Sequence, residues 1–186
     1  MPAPARTSID AIVRAAADLL EADGPAGLSM QAVGARVGVR APSLYKHVSG
    51  RGALVRLVAE DAARDLGERL DASAPFGTPP KEALGAAARA LRSFAHERPA
   101  AFRLVLSPAA EEDRLDPETA RRSSAAVVRI AAELAGPEHA LEAARTLTAW
   151  ASGFVAMELA GAFRMGGDVD AAFEFGVERI ADALAG

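Results

Sequence analysis

Gly38 and Pro42, four residues apart, punctuate the stretch from Leu28 to Leu57, LSMQAVGARVGVRAPSLYKHVSGRGALVRL, and restrict how it folds. Before the glycine, Val33 and Val37 recur at helical spacing, and Ser29 ahead of them is a good N-cap, its hydroxyl able to accept from an orphan amide. Gly38 follows the last inward residue, where a turning chain takes a positive φ that glycine tolerates best. Pro42 suits the first turn of a second helix, because its ring holds a helical φ and its missing N–H has no intrahelical partner there. Leu44 and Val48 then fix the buried face of that second helix.

Two short helices joined by a glycine turn form a helix-turn-helix, whose second member fits the major groove of DNA. With Leu44 and Val48 inward, Arg40, Ser43, Lys46 and His47 face outward beside Tyr45. These are donors, cations and one aromatic hydroxyl, the groups that bond phosphate oxygens and base edges. From Ala26 to Ala59 the chain carries Arg36, Arg40, Lys46, Arg51 and Arg56 and no Asp or Glu, although its formal net charge is −4. Residues 1–60 hold seven basic and five acidic side chains, against fourteen and twenty in residues 61–186. A basic head and an acidic body orient a molecule on a polyanion.

The order G-L-S-M-Q-A-V-G-A-R-V-G-V-R-A-P-S-L-Y-K-H-V-S-G-R-G-A-L-V, from Gly27 to Val55, resembles the DNA-binding signature of the TetR family of bacterial repressors. Its most specific part is Leu44-Tyr45-Lys46-His47-Val48, followed by the basic Arg51 and the apolar Leu54. The resemblance implies an all-α chain with a three-helix DNA-binding head and a C-terminal helical domain for effector binding and dimerisation. It puts Arg40, Ala41, Pro42 and Ser43 nearest the base edges, with Met30 and Gln31 joining from the preceding helix. Tyr45, Lys46, His47 and Arg51 fall to the phosphates. Arg40 serving phosphate, and His47 as a core histidine or one that supports a contacting residue from behind, are the alternatives.

At 186 residues the chain holds one large domain or a small one beside a medium one. Hydrophobic residues make up 51 % and aromatics only 5 %, so the interior is built from Ala, Leu and Val, which favours closely packed helices over strands. The absence of cysteine excludes disulfides and Cys-ligated metal and suits a reducing cytoplasm. No apolar run approaches the ~18–20 residues that span a bilayer. The start MPAPARTSID lacks a signal core and reads as a short arm, in which Arg6 either touches phosphate or is solvated.

Thr7 and Asp10 make a capping-box variant for a first helix ending at Asp23-Gly24-Pro25. Leu54, Val58, Ala62 and Leu66 predict a fourth helix to about Leu70, expected to carry any signal between head and body. Ser73 to Pro80 is a breaker cluster and the persuasive boundary. The division is therefore a helix-turn-helix domain over 1–50, a connecting helix over 51–72 and an effector and dimerisation domain over 80–186. Within the last, helices are expected from Lys81 to His96 and from Pro99, then an exposed acidic loop from Pro108 to Pro117. Further helices follow over Glu118 to Leu134, Pro137 to about Arg164, and a final helix capped by Asp168. Ala144, Leu147, Ala151, Val155, Leu159 and Ala162 form one apolar stripe and Phe173, Val177, Ile180 and Leu184 another. Two such stripes ask for a partner, and the resemblance implies a homodimer through a four-helix bundle.

Phe94, Phe102, Leu106, Trp150, Phe154, Met157 and Phe163 line an apolar ligand cavity or are plain core. W-A-S-G-F-V-A-M-E-L-A-G-A-F, from Trp150 to Phe163, together with the upstream H-E-R-P-A-A-F-R-L-V-L, resembles the C-terminal pattern of one TetR subfamily, with Ser152 in place of that pattern's histidine. Glu158 either pairs with an arginine such as Arg145 or faces a ligand. His47, His96 and His139 show no metal or catalytic spacing and no glycine-rich phosphate loop occurs, so neither an enzyme nor a bound cofactor is expected. The reading is a cytoplasmic repressor, released from a palindromic operator by a small apolar molecule. The alternative is a sequence-tolerant architectural DNA-binding protein without an effector.

Overall fold

Residues 8–106 and 114–186 are described by the computed structural model of the chain, which is helical with short turns. Helix α1 (Ile9–Gly27) starts at Ser8, whose Oγ accepts from the Ala11 amide at 3.1 Å. Ser8 therefore takes the capping role expected of Thr7, which lies outside the described residues, as do Arg6 and Pro108 to Asp113 of the acidic loop. Within α1, Gly24 breaks the helical path at φ 68° and ψ −172°, so Pro25–Gly27 is a separate turn, as the breaker triplet predicts. Helix α2 (Met30–Val37) is capped by Ser29 Oγ on the Ala32 amide at 3.1 Å. Helix α3 (Ala41–Leu44) is one turn, and α4 (Arg51–Ser73) is the long fourth helix.

The chain divides into two compact units. The first comprises residues 1–63 and 98–119. Its core is Ile12, Leu20, Leu28, Val33, Leu44, Leu54 and Val58, each essentially inaccessible to solvent. Helix α6 (Pro99–Leu106) joins this unit, with Ala100 and Leu104 packed on that core. It is held by a carboxylate of α1: Glu21 accepts from the Ala100 and Ala101 amides, both at 2.9 Å. A negative charge on the free amides of a helix start satisfies orphan donors and complements the helix dipole.

The second unit comprises residues 64–97 and 120–186 and holds the rest of α4, α5 (Pro80–Glu97), α8 (Ala125–Ala135), α9 (Ala140–Leu159) and α10 (Val169–Leu184), with the end of α7 (Pro117–Ser123). The single helix expected over Glu118 to Leu134 is two. Ser123 and Ser124 donate their hydroxyls to the Ala120 carbonyl at 3.2 and 2.8 Å, competing with the helix ladder at the break. Helix α9 follows a 3₁₀ turn (Pro137–His139) and ends at Leu159, before the expected Arg164. Asp168 caps α10 as predicted, accepting from the Asp170 and Ala171 amides at 2.9 and 3.2 Å.

Of the two C-terminal stripes the middle is covered by the unit itself, whereas Leu159, Ile180 and Leu184 are half-buried and Ala162 is exposed. Ala144, Leu147, Ala151 and Val155 on α9, and Phe173, Val177 and Ala181 on α10, are buried inside the unit itself. Phe173 is the centre of an aromatic cluster, stacked on Trp150 at 5.5 Å and edge-on to Phe154 at 5.2 Å. This packing depends on Gly176, where an added Cβ would stand 2.2 Å from Trp150 Cζ2. Gly176→Ala must expel the indole, and overpacking of this kind costs about 1–3 kcal/mol. Because Trp150 is the only tryptophan, the expected result is a lower melting temperature together with red-shifted tryptophan emission.

Candidate functional site

The turn between α2 and α3 is closed by backbone bonds. Gly38 sits at φ 76°, and the Val39 and Gly38 amides donate to the Gly34 and Ala35 carbonyls at 2.8 and 3.3 Å. Arg40 is then the extended residue before α3, with Pro42 inside its first turn. The helix is too short to stand alone, since nucleating one hydrogen-bonded turn is unfavourable. It is carried by Leu44 and Val48, at 0 % and 4 % exposure, and continues as a hydrogen-bonded turn in which the His47 and Val48 amides both donate to the Leu44 carbonyl.

Pinning Leu44 and Val48 sends the residues between and before them outward. Gln31, Arg40, Pro42, Tyr45, Lys46 and His47 are exposed, with Ala41 and Ser43 half-buried between them. Among the described residues no hydrogen bond or ion pair engages the side chains of Gln31, Arg40, Tyr45, Lys46 or His47, so their donors are available. His47 is exposed, which excludes the core-histidine alternative.

Two expected members of the set lie elsewhere. Met30 is 8 % exposed and part of the first unit's core, because the first inward position of α2 falls on it. Arg51, expected on phosphate, turns away: Nε donates to the Leu28 carbonyl at 2.9 Å and Nη2 to the Pro25 carbonyl at 2.6 Å. A sequence signal for this existed. A cation at the first residue of a helix opposes the dipole, so it calls for an acceptor elsewhere.

Of the expected ligand residues, Phe102 and Leu106 belong to the first unit and the other six to the second. Phe94 and Phe102 are fully buried packing residues. Trp150, Phe154 and Phe163 pack on one another or on Phe173, while Met157 and Phe163 are the most exposed of the set. Glu158 is paired, with Arg92 rather than Arg145. Arg92 Nε and Nη2 donate to its two oxygens at 2.9 and 2.5 Å, Nη2 also reaches Asp170 at 2.5 Å, and the guanidinium lies 4.9 Å over the Phe173 ring. His96 Nε2 stands 3.3 Å from the same carboxylate. One arginine of α5 thus ties α9 to α10. These groups line an open cleft of about 450 Å³ with Arg89, Ser93 and Glu174. Ser152, where the subfamily pattern has histidine, donates its hydroxyl to the Thr148 carbonyl of its own helix.

A glycine-turned helix pair presenting unengaged cations, a phenol and an amide on one face defines a DNA-binding protein of the helix-turn-helix class. Known proteins agree. The family model described as bacterial regulatory proteins, tetR family, matches residues 12–58, and a tetracyclin repressor-like C-terminal domain matches residues 84–180. The chain is 30 % identical over 185 residues to the uncharacterized HTH-type transcriptional regulator Rv0681 of Mycobacterium tuberculosis, covering 97 % of this chain and 83 % of that one. It is 38 % identical over 73 residues to the HTH-type transcriptional repressor DrrR1 of Streptomyces coeruleorubidus, spanning 36 % of this chain and 27 % of DrrR1. The chain therefore covers only about a quarter of the latter's length. Among solved structures, regulatory protein SCO4313 superposes with a TM-score of 0.77 at 26 % identity, over 92 % of this chain and 94 % of that one. A TetR variant from Acinetobacter baumannii AYE, solved in complex with minocycline, shares the fold with a TM-score of 0.70 at 24 % identity, over 95 % and 96 % of the two chains. The chain belongs to the tetR family and is a DNA-binding transcriptional regulator.

Among the described residues, no helix is long and apolar enough to cross a membrane, and no group of three or more His, Asp or Glu stands close enough together to hold a metal ion.

The Arg92 tie makes part of the second unit's stability depend on pH. Hydrogen bonds from Arg92 hold the Glu158 carboxyl below its ordinary value of 4.5, against partial burial and with help from His96. A carboxyl whose folded value is depressed stabilises above its unfolded value, and that contribution is lost as pH falls through the folded value. Glu158→Gln is expected to melt below wild type at neutral pH, with the gap closing as pH falls below about 4. A gap that stays constant in melting curves across this range would detach Glu158 from the acid response.

Proposed function

We propose that this regulator is a repressor that binds a palindromic operator as a homodimer and leaves it when a small molecule occupies the second unit. The observation that carries the DNA reading is the exposed, unengaged set Gln31, Arg40, Tyr45, Lys46 and His47, in a stretch free of acids from Ala26 to Ala59. Arg40, Ala41, Pro42 and Ser43, at the start of α3, read base edges, with Gln31 beside them. Tyr45, Lys46 and His47 bind phosphate oxygens, Lys46 as a point charge and Tyr45 through its hydroxyl. One such half-site is too short for tight binding, and two related by a twofold axis meet successive major grooves ~34–36 Å apart. The protein acts where bacterial DNA is, in the cytoplasm.

The pairing surface is assigned to what the second unit leaves uncovered. On α9, Thr146, Ala149, Gly153 and Ala156 are exposed at helical spacing, with Met157 at 50 %, and on α10 Phe175 is 64 % exposed. Small residues let two helices approach closely and the large apolar groups supply the buried area. Release by a ligand requires tighter binding to the DNA-free conformer than to the bound one. Helices α4 and α7, which each contribute residues to both units, and the backbone crossing at Glu97–Arg98 are the covalent routes for that bias. The effector is assigned to the cleft lined by Arg89, Arg92, Ser93, His96, Glu158, Asp170 and Glu174, whose charged and polar lining asks for polar groups on it rather than for the apolar molecule expected from the sequence.

Selection of bound duplexes from a random DNA pool should yield a twofold-symmetric consensus; recovery without sequence preference would favour an architectural protein instead. On the selected duplex, Lys46→Ala should weaken binding and lower the slope of log affinity against log salt by roughly one unit. In sedimentation, the double substitution Met157→Glu with Phe175→Glu should give folded monomers with poor operator affinity. Surviving dimers would move the pairing surface off these helices.

A further inference from the structure

The two hydrogen bonds of Arg51 are not explained by DNA binding itself. Arg51 is the first residue of α4, and its side chain reaches back 23 residues in sequence to the Leu28 carbonyl and 26 to that of Pro25. Pro25 begins the separate turn that closes α1 and Leu28 is the C-cap residue, and carbonyls at such an end lack intrahelical donors and favour a cation. Leu28 is itself fixed, being 1 % exposed and adjacent to the Ser29 cap of α2. The tie therefore joins the two ends of one segment. Between Leu28 and Arg51 lie α2, the turn, α3 and every residue assigned above to DNA. Closing a segment across its ends removes much of its freedom, and this one contains a recognition helix of a single turn.

We infer that Arg51 is a positioning residue for operator reading: its guanidinium closes the Leu28–Arg51 segment and holds α3 in the orientation that meets the bases. This inference rests on the DNA-binding reading and adds to it a group that acts through the Pro25 and Leu28 carbonyls. Arginine is suited to the task because its planar fork presents Nε and Nη2 at fixed angles to two carbonyls at once. A lysine offers one compact charge on a flexible stem and cannot span both with the same geometry. The consequence is a specific pattern. Loss of the fork loosens the recognition turn and spares the phosphate charges, so it reduces discrimination between operator and other DNA without changing the number of counterions released.

The test compares the full-length wild-type chain with Arg51→Lys and Arg51→Ala. Binding is measured to the duplex selected by the wild type and to a random-sequence duplex, across a salt series. Circular dichroism fixes the melting temperature of each variant, and binding is read about 20 °C below it so that every chain is folded. Arg51→Lys is expected to lose roughly tenfold in affinity for the selected duplex while holding the wild-type salt slope and remaining within about twofold on random sequence. Wild-type behaviour of Arg51→Lys would mean that charge alone suffices and would overturn the inference. So would a slope lowered by about one unit in Arg51→Ala, the mark of a phosphate contact, or an equal loss on both duplexes. If Arg51→Ala fails to fold, the lysine variant carries the comparison, since it keeps the charge and the stem. Failure of the wild type to bind any duplex would strike the DNA-binding reading, whereas the variants address only the tie.

Discussion

Burial of Leu44 and Val48 in the core built by α1, α2 and α4 is the interaction on which the function depends. A four-residue helix has no stability of its own, because its first turn fixes several dihedrals for very few hydrogen bonds. What keeps it helical is the apolar area that these two side chains remove from water, worth roughly 1.5–3 kcal/mol each when fully buried. The same burial aims the chemistry. Once positions 44 and 48 point inward, the helix geometry leaves Arg40, Tyr45, Lys46 and His47 no other direction than outward.

The second unit solves a different problem. Its interior is made largely of alanine, leucine and valine, and a few large groups fix how its helices meet. Phe173 and Trp150 interlock over Gly176, and Arg92 joins α5 to both C-terminal helices through Glu158 and Asp170. A largely buried ion pair of this kind contributes little net stability, because desolvation offsets attraction, but breaking it leaves an uncompensated charge. It therefore specifies an arrangement of three helices more than it strengthens one. The hydrogen bonds that Arg92 donates to Glu158 raise its guanidinium further above its ordinary range, so the pair is held in its ionised form.

Residues whose role is local were legible in the sequence. Ser29, Gly38, Pro42 and Asp168 each act within four residues of themselves, as caps and turns, and the spacing of Leu54, Val58, Ala62 and Leu66 marked α4, which runs on to Ser73. Residues whose partner is distant were not. Glu21 finds the start of α6 about 80 residues on, Glu158 takes Arg92 from 66 residues before it, and Arg51 spans 23 to 26. Periodicity alone also could not say whether a stripe meets its own unit or a second copy, and Phe173 and Val177 proved to be inward. The break at Ser123 and Ser124 was missed because their hydroxyls compete with the ladder in a way that an apolar pattern does not register.

The amino-acid order by itself determined an all-helical chain whose basic head carries a helix-turn-helix in a stretch free of acids from Ala26 to Ala59, because caps, turns and charge are read over short distances. Only the tertiary structure decided which cations are available to DNA and which are already engaged. That choice depends on which acceptors lie within about 3 Å of each guanidinium after folding. Two arginines of the head, Arg40 and Arg51, eleven positions apart, look alike in the chain, yet one is unengaged and the other holds the recognition segment closed.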